Sequence, residues 1–483
     1  MNARAVIRVV SFVLIVLGAA MAGCGLIARG AGDPRSAVVA LAGAGGLCVA
    51  AGAVAWFFTR GAVELTRRDG FGIVTFGWLA TGLAGALPYR FSGVIPSFAD
   101  AVFESVSGFT TTGASVLQGL EALPRGILFW RSLTHFFGGM GVLVLCVAIL
   151  PLLGTGGMQL FRAEMPGPSK DRLTPRIATT AKLLWGVYVL LCAAQTLLLK
   201  WGGLSWFDAL CHSFATVATG GFSTRSDSIA AFHSPFVETV IIVFMFLAGA
   251  NFALHFRFLT GAFGAHPRDP EFRCYFAVAL LASLGVAALI LGRPEFATSG
   301  AAVRAAVFQV VSILTTTGFS TANFDLWPNA ARFLLVALML MGACAGSTSG
   351  GLKQIRVAIA TKQLLREIRR AVMPQSVQRV KLAGQPLEDE TVSTVVGYTL
   401  LVLAALFAGS LAMTFFTPDL ETAVTSAAAT LGCIGPGLSA VGPASTYAAI
   451  PAAGKAVLIV LMLLGRLEML AIVVLFLPRF WRR

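Results

Sequence analysis

Residues 101–115 read AVFESVSGFTTTGAS and residues 306–320 read AVFQVVSILTTTGFS. Within the first, Ser105 to Ser115 hold six hydroxyl side chains and two glycines, in a chain that is 57% hydrophobic. A polar stretch that recurs almost letter for letter is a repeated structural unit. Two weaker copies, ATGGFS (218–223) and GCIGPG (432–437), complete the set. Aligning Gly113, Gly221, Gly318 and Gly435 spaces the copies by 108, 97 and 117 residues, a period near 100 that marks tandem repeats.

The surroundings set the environment. Only 12% of the 483 residues are charged and the mean hydropathy is +0.82, outside the range of soluble domains. Apolar runs such as Ala5–Leu26, Ala37–Phe58 and Ala456–Leu477 are each long enough to cross a bilayer core of about 30 Å as a helix, and Leu184–Leu199 forms most of another such span. The expected fold class is therefore an all-α polytopic membrane protein. The N-terminal run up to Cys24 resembles a secretory signal, but a second apolar segment follows at once, so an uncleaved first helix is expected. The eight cysteines show no C-x-x-C spacing and lie mostly in apolar runs, which points to neither disulfides nor a metal site.

The net charge of +14 does not signal nucleic acid. Lys and Arg cluster at 4–8, 60–68, 162–182, 257–273, 353–381 and 479–483, which together hold 24 of the 36. Placing all six clusters in the cytoplasm satisfies the positive-inside rule and leaves both termini on that side. Between clusters, each piece reads as a long apolar helix, a shorter helix, a Gly/Thr/Ser loop and another long helix. Two helices then cross while the short helix and its loop dip in and return. The expected units are an N-terminal helix pair (1–68), then repeats at 69–176, 177–268, 269–382 and 383–483, in a pseudo-fourfold arrangement. The short helices are expected near 98–110, 206–217, 303–315 and 420–431.

Non-helical backbone at membrane depth survives only where it lines water or is wrapped in protein. Four such loops converging on an axis can point carbonyl oxygens inward and replace the hydration shell of a monovalent cation. Glycine supplies the positive φ angles this needs, and Thr hydroxyls are expected to add oxygens at the lower rim. One Gly/Thr loop alone is an ordinary turn; four at matching intervals are not. The fourth, with Cys433 and Ile434 where the others have Thr, Ala or Gly, should make the ring asymmetric.

TTTGAS, ATGGFST, TTTGFST and IGPGL resemble the four filter loops of the Trk/Ktr/HKT superfamily of potassium transport proteins, and the likeness extends over essentially the whole chain. The extra N-terminal pair and the length are most similar to its bacterial Trk-system potassium uptake branch, TrkH/TrkG. The resemblance implies four helix–pore loop–helix (M1-P-M2) repeats around one ion pathway and a homodimer in the bacterial inner membrane. It also implies a cytosolic TrkA-like nucleotide-binding regulatory subunit. The resemblance makes potassium the transported ion and implies no other cofactor. The filter positions carry over to Thr111, Thr112 and Gly113; Thr219, Gly220 and Gly221; Thr316, Thr317 and Gly318; and Cys433, Ile434 and Gly435.

Two further segments bear on gating. GACAGSTSGG, Gly342 to Gly351, sets ten small residues where a span should carry Leu and Val. Close helix packing is one reading and a flexible loop under the filter the other. It resembles a P-loop only superficially, since Leu352 stands where that motif needs Lys. The resemblance makes this segment, with Gly342, Gly346, Ser347, Thr348, Ser349, Gly350 and Gly351, the gating loop. The basic stretch after it, Lys353, Arg356, Lys362, Arg366, Arg369 and Arg370, suits lipid headgroups or an acidic face of the regulatory subunit.

Arg466 lies inside the last apolar run, two residues before Glu468, which points to another helix face. A charge at that depth must face protein or water. It is either one half of an ion pair or a positive charge near the pore axis; the resemblance implies the second. Asp100, Asp208 and Glu421 near the short-helix starts read as caps or dipole partners, with Glu104 one turn further in. His135, His212, His233, His255 and His266 show no metal spacing and are expected to pack or hydrogen-bond. A multi-pass enzyme lacks any H-E-x-x-H, G-x-S-x-G or facing aspartate pair here. The nearer rival is an ion-coupled secondary symporter driven by H+ or Na+; its inverted-repeat form is disfavoured because every repeat here has the same orientation.

Overall fold

The structure, a computed structural model, describes residues 1–60, 66–149, 174–374, 378–382 and 384–481. The basic cluster at 162–182 lies outside these up to residue 173. The described chain is helical apart from one two-stranded ribbon, Lys381–Leu382 paired with Gln385–Pro386. Among the described residues six helices are long and apolar enough to cross a membrane, or seven if one bent pair counts as a span.

Helices α1 (Ala3–Gly30) and α2 (Arg35–Phe58) form the N-terminal pair. They meet through glycines: a Cβ on Gly18 would stand 2.6 Å from the Gly45 carbonyl oxygen, and one on Gly52 2.7 Å from that of Ser11. Small residues let the backbones approach where lipid offers no hydrophobic drive. The first repeat region then runs α3 (Arg67–Gly85), α4 (Leu87–Ser92), α5 (Phe98–Phe109) and α6 (Arg125–Ile149). Next come α7 (Thr174–Trp201), α8 (Trp206–Val217), α9 (Pro235–Gly249), α10 (Phe252–Leu259) and α11 (Ala265–Arg268). The third region holds α12 (Pro270–Ile290), α13 (Ser299–Leu314), α14 (Asn329–Met341) and α15 (Gln354–Val372). The last holds α16 (Asp389–Met413), α17 (Leu420–Leu431), α18 (Ala452–Arg466), α19 (Leu470–Val473) and α20 (Pro478–Trp481).

The short helices α5, α8 and α17 have 12 residues each and span roughly 18 Å, too little to cross. Each starts on a side-chain cap, from Ser97, Ser205, Thr298 in α13 and Asp419 in α17, which accepts an amide three residues on. Helix α13 starts four residues earlier than the expected 303. Each short helix packs against the two long helices of its own region and one more: α8 against α6, α13 against α9, α17 against α14, and α5 against α18. The order is cyclic, and the last region closes onto the first.

Two expectations need correction. The run Ala456–Leu477 is not one helix: α18 ends at Arg466, and Glu468 and Met469 take φ of 53° and 50° before α19 resumes. Nor is the third region's last helix the only interrupted one, because α9 and α10 bend by 102° across Ala250 and Asn251. Each break carries polar residues, Asn251 in one and Arg466 and Glu468 in the other, but so few in a long apolar run do not lower its mean hydropathy enough to register as an interruption.

Candidate functional site: a ring of four loops above a buried strap

Each short helix ends the same way. The amide of Thr111 donates to the Gly108 carbonyl and that of Thr112 to Ser107; Thr219 and Gly220, Thr316 and Thr317, and Cys433 and Ile434 repeat the pair. This is a Schellman C-cap, in which the first of the two residues must take positive φ. Glycine is the usual occupant, yet here Thr111, Thr219, Thr316 and Cys433 hold φ of 51°, 54°, 58° and 55°. A side chain retained in that conformation costs about 1 kcal/mol or more.

Two residues later the chain turns again at Gly113, Gly221, Gly318 and Gly435, with φ of 80°, 78°, 80° and 99°. These glycines interlock. A Cβ on Gly113 would strike the Gly220 carbonyl oxygen, one on Gly221 that of Thr317, and one on Gly318 that of Ile434; one on Gly435 would stand 2.8 Å from the Thr112 oxygen. Every loop thus presses its glycine against the carbonyl before the next loop's glycine, and the fourth returns to the first. All four glycines line one open cavity of about 550 Å³ on the side where the chain leaves the ring.

The hydroxyls divide into two kinds. Those of Thr112 and Thr317 turn back onto Thr110 and Thr315 at 2.8 Å in each loop. Of the threonines expected to add oxygens at the lower rim, these two are engaged with a neighbouring threonine of their own loop. The Thr111 hydroxyl is buried and makes no hydrogen bond among the described residues, Thr219 donates to the Ala218 carbonyl, and Thr316 accepts from the Gly350 amide at 2.7 Å. The fourth loop keeps the backbone pattern despite its different side chains. Its departure lies at Gly435, whose carbonyl accepts the Tyr447 hydroxyl at 2.7 Å.

Behind the ring stands a set of polar residues nine positions before each glycine: Glu104, His212, Gln309 and Ser426. The first three tie the outgoing chain to its own short helix. Glu104 accepts from the Ser115 hydroxyl at 3.0 Å and the Val116 amide at 2.9 Å, His212 Nε2 meets the Ser223 hydroxyl at 2.9 Å, and Gln309 accepts from the Thr321 amide at 3.3 Å. In the fourth loop Thr425 does this for Leu438 at 3.0 Å. Only Glu104 stands out in the sequence by itself; the others emerge once the glycines are aligned and the same column is read. Arg131, which the sequence reading passed over, pairs with Glu104 at 2.7 Å and donates to the Ser223 carbonyl at 2.8 Å, joining loops one and two. Both side chains are essentially buried, so each neutralises a charge that would otherwise be costly.

His135 completes this backing. Its Nε2 accepts the Phe222 amide at 3.1 Å, which places the proton on Nδ1 to donate to the Gly108 carbonyl at 2.7 Å. The remaining histidines also hydrogen-bond or cap: His255 reaches the Leu247 carbonyl at 2.8 Å and His266 the His255 ring at 3.1 Å, while His233 ends a short turn. No group of three His, Cys, Asp or Glu that would hold a metal occurs among the described residues. Asp100 and Glu421 do not cap their helices. They sit in the first turn, where the dipole favours them, and pair with Lys455 at 2.6 Å and with Arg332. Asp208 accepts from Ser205 and Thr224 hydroxyls at 2.8 and 2.6 Å.

Directly beneath the ring, Gly342 to Gly351 leaves the helix and forms a buried strap. Gly342, Gly346 and Gly351 have φ of 68°, 68° and 72°, and the strap's two ends cross so closely that a Cβ on Gly342 would be 2.5 Å from the Gly350 oxygen. Thr348 donates to the carbonyls of Val217, at the end of α8, and Ala248 at 2.9 and 3.3 Å. Ser347 meets Ser349 at 2.9 Å, and Lys353 reaches back to the Ser349 carbonyl. Arg466 is 3% exposed and donates to the Thr348 carbonyl at 2.8 Å and the Gly138 carbonyl at 3.1 Å. Glu468 turns away to pair with Arg356 at 2.7 Å.

Comparison with known proteins gives a consistent result. The TrkH family model, described as a cation transport protein, matches residues 39–483. The chain is 42% identical over 490 residues to the Trk system potassium uptake protein TrkH of Escherichia coli strain K12, covering all of both chains. It is 35% identical over 439 residues to TrkG of the same strain, covering 90% of each. Among solved structures, the potassium transporter TrkH from Vibrio parahaemolyticus superposes with a TM-score of 0.91 at 38% identity, covering both chains completely.

Proposed function

The chain belongs to the TrkH family of cation transport proteins, and from that premise we propose that it takes up potassium across the bacterial inner membrane through the ring of four loops. The family is one of transporters, not enzymes. The observation that carries the reading is the closed cycle in which each glycine abuts the next loop's carbonyl. A ring of carbonyl oxygens held by protein on every side, with no room for a Cβ, suits a dehydrated monovalent cation. Thr111, Thr219 and Thr316 sit at the strained position just below, where their hydroxyls meet the ion path. With Thr112, Gly220, Thr317, Cys433, Ile434 and the four glycines they form the filter.

The strap is the gate. It occupies the space beneath the ring, and Arg466 holds it there while placing a positive charge on the exit path, which repels cations. Movement of α15, which the strap feeds directly, withdraws it. The relatives are named as members of a Trk system, and the basic residues of α15 suit docking by a cytosolic TrkA-like nucleotide-binding subunit. A homodimer with both termini in the cytoplasm completes this reading.

Uptake of K+ and Na+ into liposomes containing the purified chain, with and without a pH gradient, tests the proposal. Saturable K+ uptake that persists without a H+ or Na+ gradient is expected. Absence of K+ flux under every condition, or strict dependence on a second ion, would overturn the channel-like reading.

A further inference from the structure

The strap is held from above by the Thr316 hydroxyl, from the side by Arg466 and by its own Thr348 hydroxyl, and it has a further tether that hydropathy and motif reading do not reveal. Glu271, the second residue of α12, is a carboxylate only 8% exposed. Its Oε1 atom accepts the amide of Ala345 at 2.8 Å and that of Ile355 at 3.1 Å. Ala345 lies inside the strap; Ile355 is in the first turn of α15. That helix has no side-chain cap of its own, because its N-cap residue Lys353 holds φ of 72° and contributes none. A carboxylate at the amino end of a helix satisfies an orphan amide and complements the dipole. Glu271 therefore caps α15 from another helix, and the same oxygen clasps the strap, so residues 346 to 354 are bracketed at both ends by one atom.

We propose that Glu271 is a positioning residue of the gate: it couples the start of α15 to the strap, so that displacement of α15 releases the strap. The inference rests on reading the strap as a gate. Displacing α15 from α12 breaks the Ile355 bond directly and strains the Ala345 bond through the strap that is continuous with α15, whereas the ties from Arg466 and Thr316 are to the strap alone.

The test uses the full-length chain in liposomes without a regulatory subunit, comparing wild type, Glu271→Gln, Glu271→Ala and Arg466→Ala. Rubidium influx and hydrogen exchange of peptides covering 343–356 are measured, with thermal unfolding as a control. Glu271→Ala should speed exchange there by about tenfold and raise basal influx several-fold, with Glu271→Gln intermediate because an amide oxygen still accepts. Unchanged exchange in both Glu271 variants overturns the inference whatever the flux does. Faster exchange with unchanged influx, while Arg466→Ala raises influx, overturns the claim that Glu271 holds the gate. Faster exchange with influx unchanged in all variants supports the clasp and overturns the gate. If Glu271→Ala does not fold, Glu271→Gln decides alone.

Discussion

The guanidinium of Arg466 donates to the carbonyl of Thr348 at 2.8 Å, joining the end of α18 to the centre of the strap. It is the one direct side-chain tie from the last region to that residue among the described residues. Truncation to alanine removes both this bond and the charge. Arg466→Ala is expected to raise rubidium influx by about tenfold, the effect of losing a charged hydrogen bond that favours the closed state. Influx at the wild-type level would show that the contact does not restrain the strap.

Gly113→Ser puts a Cβ onto the Gly220 carbonyl oxygen at a residue with φ of 80°. Backbone of one or both loops must shift, so the variant should lose most K+ flux or its preference over Na+. Gly186→Ala, a helix position with open space around it, is the matched control and should behave as wild type.

Glu104 and Arg131 form a buried pair behind two loops. Removing either partner alone, as in Glu104→Gln or Arg131→Gln, leaves an uncompensated buried charge and should destabilise the protein by roughly 3–5 kcal/mol. The double variant should cost less than the sum of the two, and additive losses in a detergent unfolding cycle would argue against direct coupling.

Tyr447→Phe frees the Gly435 carbonyl without disturbing the fold, since the ring stays packed on Phe103 at 5.5 Å. The fourth wall then resembles the others. The ratio of K+ to Na+ uptake should change by a few-fold while the melting temperature stays within a few degrees.

Beyond the ring, on the side where the chain leaves it, Glu121 binds the amide and hydroxyl of Ser226, both at 2.7 Å, linking the segments that follow loops one and two. The Ser226 amide bond holds its carboxyl below the ordinary 4.5, against a smaller opposing effect of burial. A depressed folded-state value means the stabilisation is complete above pH 4.5 and is lost as pH falls through the lower folded value. Glu121→Gln should flatten the acid limb of the stability profile and leave neutral pH nearly untouched. An unaltered acid limb would show that the link contributes nothing.

How much of this was legible in the sequence follows from what each kind of signal records. Hydropathy and the four aligned glycines marked an all-helical membrane fold and located the short helices to within a few residues, because burial and positive φ both constrain residue type. The breaks at Ala250–Asn251 and at Leu467–Met469 left only one polar residue each, Asn251 and Glu468, which a long apolar run absorbs without a change in its average. Arg131, Lys455 and Glu271 escaped for another reason. Their partners are 27, 355 and 74 residues away or more, and a lone charge in an apolar run says that a partner exists without saying which. Which threonines of a loop leave their hydroxyls unengaged is likewise not specified by spacing, because Thr112 and Thr317 have the hydroxyls of Thr110 and Thr315 within reach.

The cyclic packing also has a bearing on how the protein is made. The first loop's glycine wall is finished by Gly435, and α5 rests on α18, so the earliest and latest segments to leave the ribosome are mutual neighbours. Until the final fifty or so residues are inserted, three sides of the enclosure exist and their carbonyls face an opening toward lipid, which cannot satisfy them. Such an unfinished protein cannot hold the loops in order. Translation must therefore be nearly complete before the cycle of four loops can close.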